Sequence, residues 1–106
     1  MRVLIDEQMP DQLTVELTGH EVRSVGQMGW KGLANGALLL RASERFDALL
    51  SMDRNMPAQQ DISHHSLGLV LVRATSNRIE SLRPLIPDMQ RALAAVRPGT
   101  VERVGV

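Results

Sequence analysis

Three short, nearly uninterrupted apolar runs constrain this chain more than any other feature. They are Val3-Leu4-Ile5, Ala48-Leu49-Leu50-Ser51-Met52 and Leu67-Gly68-Leu69-Val70-Leu71-Val72. A strand with one wet face alternates polar and apolar residues, whereas a continuous apolar run suits a strand covered on both faces. Segments with helical spacing lie between the runs. Leu13 and Leu17 follow Pro10 and precede Gly19. Leu38, Leu39, Ala42 and Phe46 share a helical face, with Asn35 as its expected N-cap. A third stripe runs from Ile79 through Leu82, Leu85, Ile86, Met89 and Leu93 to Val96. Asn77 and Glu80 have capping-box spacing ahead of it, and Pro84 and Pro87 should break it, with the longer piece beginning near Pro87.

Two further strands are expected at the edges. Residues 21–25 alternate, and residues 100–104 follow the Pro98-Gly99 turn. A short helix is expected at 58–61. The order is then β-α-β-α-β-(α)-β-α-β, an α/β fold with a mostly parallel sheet buried on both faces. At 106 residues the chain makes one domain, spanning 1–106, with no repeat.

Composition removes several classes of function. There is no cysteine, so thiol catalysis, disulfides and Cys-based zinc sites are excluded. Trp30 and Phe46 are the only aromatics, too few for a module that reads bases by stacking. No apolar run reaches the roughly 18 residues of a membrane span, and the amino terminus lacks signal-peptide character. A cytoplasmic protein with no membrane partner is the expectation. The net charge is zero, yet residues 1–53 hold five Lys/Arg against eight Asp/Glu, and residues 54–106 hold seven against four. An acidic site beside a basic surface fits that asymmetry better than a general nucleic-acid binder does.

Two of the apolar runs stop at carboxylates: Ile5 at Asp6-Glu7, and Met52 at Asp53. Right-handed crossovers put every strand-to-helix loop at one edge of a parallel sheet, where ligands bind. If their strands neighbour each other, Asp6 and Asp53 converge. Their repulsion would be relieved by a hard cation, and Mg²⁺ is commonly held by one or two carboxylates plus waters and phosphate oxygens. Such an ion supports phosphodiester hydrolysis. The plainer alternative is that Asp6 caps a helix and Asp53 shapes a turn. Arg54, Arg73 and Arg78 fall near the same edge, either solvated or available to a phosphate backbone. Residues 26–36 form a glycine-rich loop with Trp30 and Lys31, open to two readings for Trp30: a lid over the sheet edge, or a partner contact favouring self-association. His64 and His65 adjoin in a polar loop without the convergent spacing of metal ligands, and His20 reads as a turn residue.

These residues also carry a resemblance. Arg2-Val3-Leu4-Ile5-Asp6-Glu7-Gln8-Met9-Pro10 is similar to the amino-terminal "LLDENLP" signature of the short PIN-like proteins, relatives of VapC-type ribonuclease toxins. Leu49 to Met56 resembles their "LVTxDRNF" strand end. Residues 30–36 and 77–82 resemble the segments before the second helix and after the fourth strand. The resemblance implies a three-layer α/β/α sandwich, a Mg²⁺ or Mn²⁺ site, RNA cleavage, and a toxin role with a small antitoxin. It makes Asp6 and Asp53 catalytic, and Asp6, Glu7, Asn35 and Asp53 the metal ligands. Lys31, Arg54, Arg73 and Arg78 would contact RNA. The family pattern often has an acid where this chain has Asn35, and Asn where it has Gln8. A PIN-like domain without catalysis, serving as an interaction module, is therefore the alternative function. A phosphatase with an aspartyl nucleophile would need a further motif that the chain does not show.

Overall fold

The computed structural model describes residues 1–105, the side chain of Gln59 apart. Five strands form one sheet: β1 (Arg2–Ile5), β2 (Glu21–Ser24), β3 (Ala48–Ser51), β4 (Gly68–Val72) and β5 (Val101–Val104). All neighbours are parallel, in the order β2-β1-β3-β4-β5. The helices are α1 (Leu13–Glu16), α2 (Asn35–Arg45), α3 (Met56–Gln59), α4 (Ile79–Leu82) and α5 (Ile86–Ala95), with 3-10 turns at Ile62–His64 and Arg83–Leu85. The expected α/β class is present, and the sheet is parallel throughout the described residues.

Strand alternation divides the core in two. Val3, Ile5, Leu50, Val70 and Val72 pack with Leu13, Leu17, Leu82, Met89 and Leu93. Leu4, Leu49, Leu69 and Leu71 pack with Leu38, Leu39, Ala42, Phe46 and Met56. Every residue of β3 and β4 is buried, as continuous apolar runs require, while β2 alternates exposed and buried as an edge strand does.

Several local expectations change. Residues 10–12 form turns, with Leu13 N–H donating to the Pro10 carbonyl (3.1 Å), so α1 is only four residues long. Such a helix is not stable alone. Burial of Leu13 and a paired contact hold it: Arg83 donates to both carboxylate oxygens of Glu16, at 2.8 and 3.0 Å. Asn35 is not an N-cap; Ala34 takes that extended position, and Asn35 begins the helix with its side chain directed elsewhere. Nor does Asn77 form a capping box. Its amide donates to the Gln8 carbonyl at 2.8 Å, tying the β1–α1 loop to the β4–α4 loop. Pro84 and Pro87 break the last helical stripe as anticipated, leaving α4, a 3-10 turn and α5. The short helix expected at 58–61 begins earlier, at Met56, with Pro57 in its first turn.

Trp30 belongs to the core. It is 8% exposed, lies among Val25, Leu38 and Leu39, and meets Phe46 edge-on with ring centroids 6.1 Å apart. Its packing in the core leaves the expected self-association without its aromatic anchor.

Candidate functional site

The chain runs from β1 outward to β2 on one side, then returns to β3, β4 and β5 on the other. The strand order therefore reverses between β1 and β3, and crevices at such a switch point are where open parallel sheets bind ligands. Asp6 and Asp53 both lie there.

The local construction follows from register. Ile5 pairs with Leu50, and the ladder continues for one more bond, from Asp6 N–H to the Leu50 carbonyl at 2.9 Å. Asp6 and Ser51 then stand side by side, two residues beyond Leu4 and Leu49 and on the same face of the sheet. The Ser51 hydroxyl donates to Asp6 Oδ2 at 2.8 Å and accepts from the Asp53 backbone N–H at 3.0 Å. Asp6 Oδ1 accepts from the Glu7 backbone N–H at 2.9 Å. Asp53 Oδ1 accepts from the Asn55 N–H, and its Oδ2 from the Asn35 amide, each at 3.0 Å. One chain of contacts thus joins Asp6, Ser51, Asp53 and Asn35. Each of the four carboxylate oxygens has one protein donor and keeps lone-pair capacity for another ligand.

Ser51 is the functional candidate that the sequence reading missed. It is fully buried, and it is the one polar residue in an otherwise apolar run, which was the available signal. A hydroxyl buried in a central strand needs partners, and the two aspartates supply them.

Burial raises the Asp6 pKa above the ordinary 3.8, and the negative charges of Glu7 and Asp53 add to that rise. The bonds from Ser51 and the Glu7 N–H act the other way. The folded state therefore holds the Asp6 proton more tightly than the unfolded chain does. Stability is lost as pH rises from the ordinary value through the folded one, and the loss persists at neutral pH. Asp6→Asn is expected to raise the melting temperature of the metal-free protein at pH 7, an advantage that fades below about pH 4 as wild-type Asp6 becomes protonated. Thermal unfolding across that range checks this; a variant less stable than wild type at pH 7 contradicts it.

Among the described residues, no three Asp, Glu or His side chains converge on one point. Glu7 is exposed, and its backbone rather than its carboxylate makes the contact to Asp6. The donor set that is together comprises two carboxylates and, with the amide turned over, the Asn35 carbonyl oxygen. These are hard oxygen ligands, and two carboxylates completed by water suit Mg²⁺. The residues present fit such an ion.

The four cations anticipated as RNA contacts lie along the same edge. Lys31 folds over Gly26 beside Ser24, at the carboxyl end of β2. Arg54 follows Asp53, Arg73 follows β4, and Arg78 precedes α4; all three are exposed. Among the described residues none of the four is ion-paired, whereas Arg2, Arg23, Arg83 and Arg91 pair with Asp47, Glu21, Glu16 and Asp88. The histidines lie elsewhere. His64 pairs with Asp61 at 2.7 Å, His65 faces Ser43, and His20 bridges towards Gln90. No helix among the described residues is long and apolar enough to cross a membrane.

No family model, curated protein or solved structure matches this chain.

Proposed function

We propose that this chain is a PIN-like, Mg²⁺- or Mn²⁺-dependent endoribonuclease, with its helices and sheet arranged as a three-layer α/β/α sandwich. The observation that carries the reading is the coupling of Asp6 and Asp53 through buried Ser51 at the strand switch point. Asp6 and Asp53, with Asn35, would hold the ion. What the ion supplies is polarisation of a phosphodiester and a lowered pKa for the attacking water. Ser51 fixes the position of Asp6 relative to the turn that carries Asp53. Asn35 and the Asn55 N–H orient the Asp53 carboxylate. Lys31 on one flank, and Arg54 and Arg73 on the other, hold the phosphates of a single strand across the acids. The resemblance in residues 2–10 and 49–56 extends the reading to a cytoplasmic toxin restrained by a small antitoxin.

One observation favours the alternative, a PIN-like interaction module without catalysis. Every carboxylate oxygen of Asp6 and Asp53 already accepts a hydrogen bond from the protein, so the pair is held together without a cation. The deciding experiment is cleavage of single-stranded RNA by the wild-type chain against Mg²⁺ and Mn²⁺ concentration. Cleavage that rises with either ion and stops on chelation supports the nuclease. Absence of any metal response over the millimolar range leaves the interaction module in its place.

A further inference from the structure

The geometry assigns a second site on this edge: a phosphate-binding pocket formed by Arg54, Arg73 and Arg103 at the carboxyl ends of β4 and β5. The three arginines line a cavity of about 190 Å³ whose floor includes Leu71, Val72 and Val104. Those floor residues are 1–4% exposed, so the pocket has an apolar base beneath a cationic rim.

The charge pattern distinguishes this cavity from its neighbours. A cavity at the amino edge has Arg2, Arg23 and Arg45 on its wall, but Glu21 and Glu44 line it too. Another, lined by Arg91, also has Asp88 and Glu102. Among the described residues, no acid lines the pocket of Arg54, Arg73 and Arg103. Arg103 also borders the cavity with Glu102 and Asp88, but Asp88 is paired with Arg91, and Glu102 alternates to the opposite face of β5. Among the described residues none of the three arginines has an ion-pair partner. Three arginines that line one cavity, with no acid among the described lining residues, build up positive potential there, and a bound anion relieves it. The planar guanidinium fork matches phosphate oxygens in bidentate fashion, and an apolar floor strengthens the attraction.

Backbone geometry closes the site. Arg73 N–H donates to the Val104 carbonyl at 2.8 Å, which holds the end of β4 against the end of β5. Gly105 then turns with φ +85°, so close to the Arg73 carbonyl that a Cβ at this position would collide with it.

Register relates the pocket to the carboxylates. Asp6 stands beside Ser51, Ser51 pairs with Leu71, and Leu71 pairs with Arg103. These four residues form one row on one face of the sheet. Three strand spacings separate Asp6 from Arg103, or about 14 Å. On the nuclease reading, the pocket holds a backbone phosphate of the same strand that crosses the two acids, and that assignment to RNA rests on the nuclease reading. The phosphate site itself requires neither a metal nor cleavage.

The test uses the full chain without divalent ions, with inorganic phosphate as the probe and calorimetry as the readout. Wild type should bind phosphate. Arg103→Gln should weaken binding at least tenfold without lowering the melting temperature of the phosphate-free protein, the effect expected on losing charge-assisted hydrogen bonds. Arg97→Gln, outside the pocket, should bind as wild type does. A single-stranded RNA oligonucleotide should then displace the phosphate. Phosphate binding that the oligonucleotide does not displace supports the pocket as a small-anion site and counts against the RNA reading. No phosphate binding by wild type, or equal weakening by Arg97→Gln and Arg103→Gln, overturns the pocket.

Discussion

Asp53→Asn is expected to abolish metal-dependent cleavage of RNA, a loss of at least about a hundredfold, the scale seen when one preorganised electrostatic group leaves an active site. The substitution keeps the shape of the side chain and an oxygen that can accept the Asn55 N–H, so the turn should persist. What it removes is half of the formal charge on the Asp6–Asp53 pair. Asn35→Asp is expected to act in the opposite direction. The Asn35 amide nitrogen now lies 3.0 Å from Asp53 Oδ2; a carboxylate there replaces a donor with a like charge. Two unit charges about 4 Å apart interact by about 4 kcal/mol at an effective dielectric of 20. Without metal that repulsion lowers stability, and with metal it becomes attraction for the ion. Asn35→Asp should therefore melt at a lower temperature than wild type in chelator, yet cleave RNA at lower Mg²⁺ or Mn²⁺. Initial rates against metal concentration for the three proteins, with melting curves in chelator, check both halves. Wild-type rates in Asp53→Asn would remove the two-carboxylate site from the mechanism.

Trp30→Ala should cost about 3–5 kcal/mol, the usual range for truncating a buried aromatic. Total stabilities of such domains run only to about 5–15 kcal/mol, so roughly a fifth or more of the fold's margin is at stake. The physical reason is local. This aromatic-poor chain brings its only two rings together, edge to face, in the cluster under the glycine-rich loop. Truncation removes that pair and opens a cavity beside Leu38 and Leu39. A fall in melting temperature of more than about 10 °C is expected, since each kcal/mol moves a domain of this size by roughly 4–8 °C. Val15→Ala, at a position 77% exposed, should change little and serves as the control. Equal small effects at both positions would show that Trp30 is not the packing element the structure makes it.

Much of this arrangement is visible in the amino-acid order because it is locally encoded. Continuous apolar runs mark β3 and β4 as covered strands, and the two prolines mark the break between α4 and α5. The acids that end two of the runs mark the crevice, since parallel strands direct all their carboxyl ends to one edge. What escapes the sequence is the pairing of side chains across long separations. Ser51 reaches Asp6 across 45 positions, Asn77 reaches Gln8 across 69, and Asn35 reaches Asp53 across 18. Each of these polar residues has a plausible local role, and for Asn35 and Asn77 capping was the natural one. Tertiary partners outcompeted it. Arg103 escaped for a related reason: only the β4–β5 register brings it beside Arg73 and Arg54.

The strand order also bears on the protein's biosynthesis. Asp6 is made before its partners Ser51, the last residue of β3, and Asp53, just beyond it, and β1 cannot be flanked on both sides until β3 has emerged. The β4 strand that buries the far side of β3 comes later still, and the β5 wall of the arginine pocket follows β4. At bacterial-to-eukaryotic synthesis rates of about 5–20 residues per second, a nascent chain spends seconds with an unpaired aspartate and no crevice. Parallel pairing of distant segments adds its own delay, because loop closure precedes every favourable contact. A chain built in this order carries an assembled acidic crevice only after its central strands have paired.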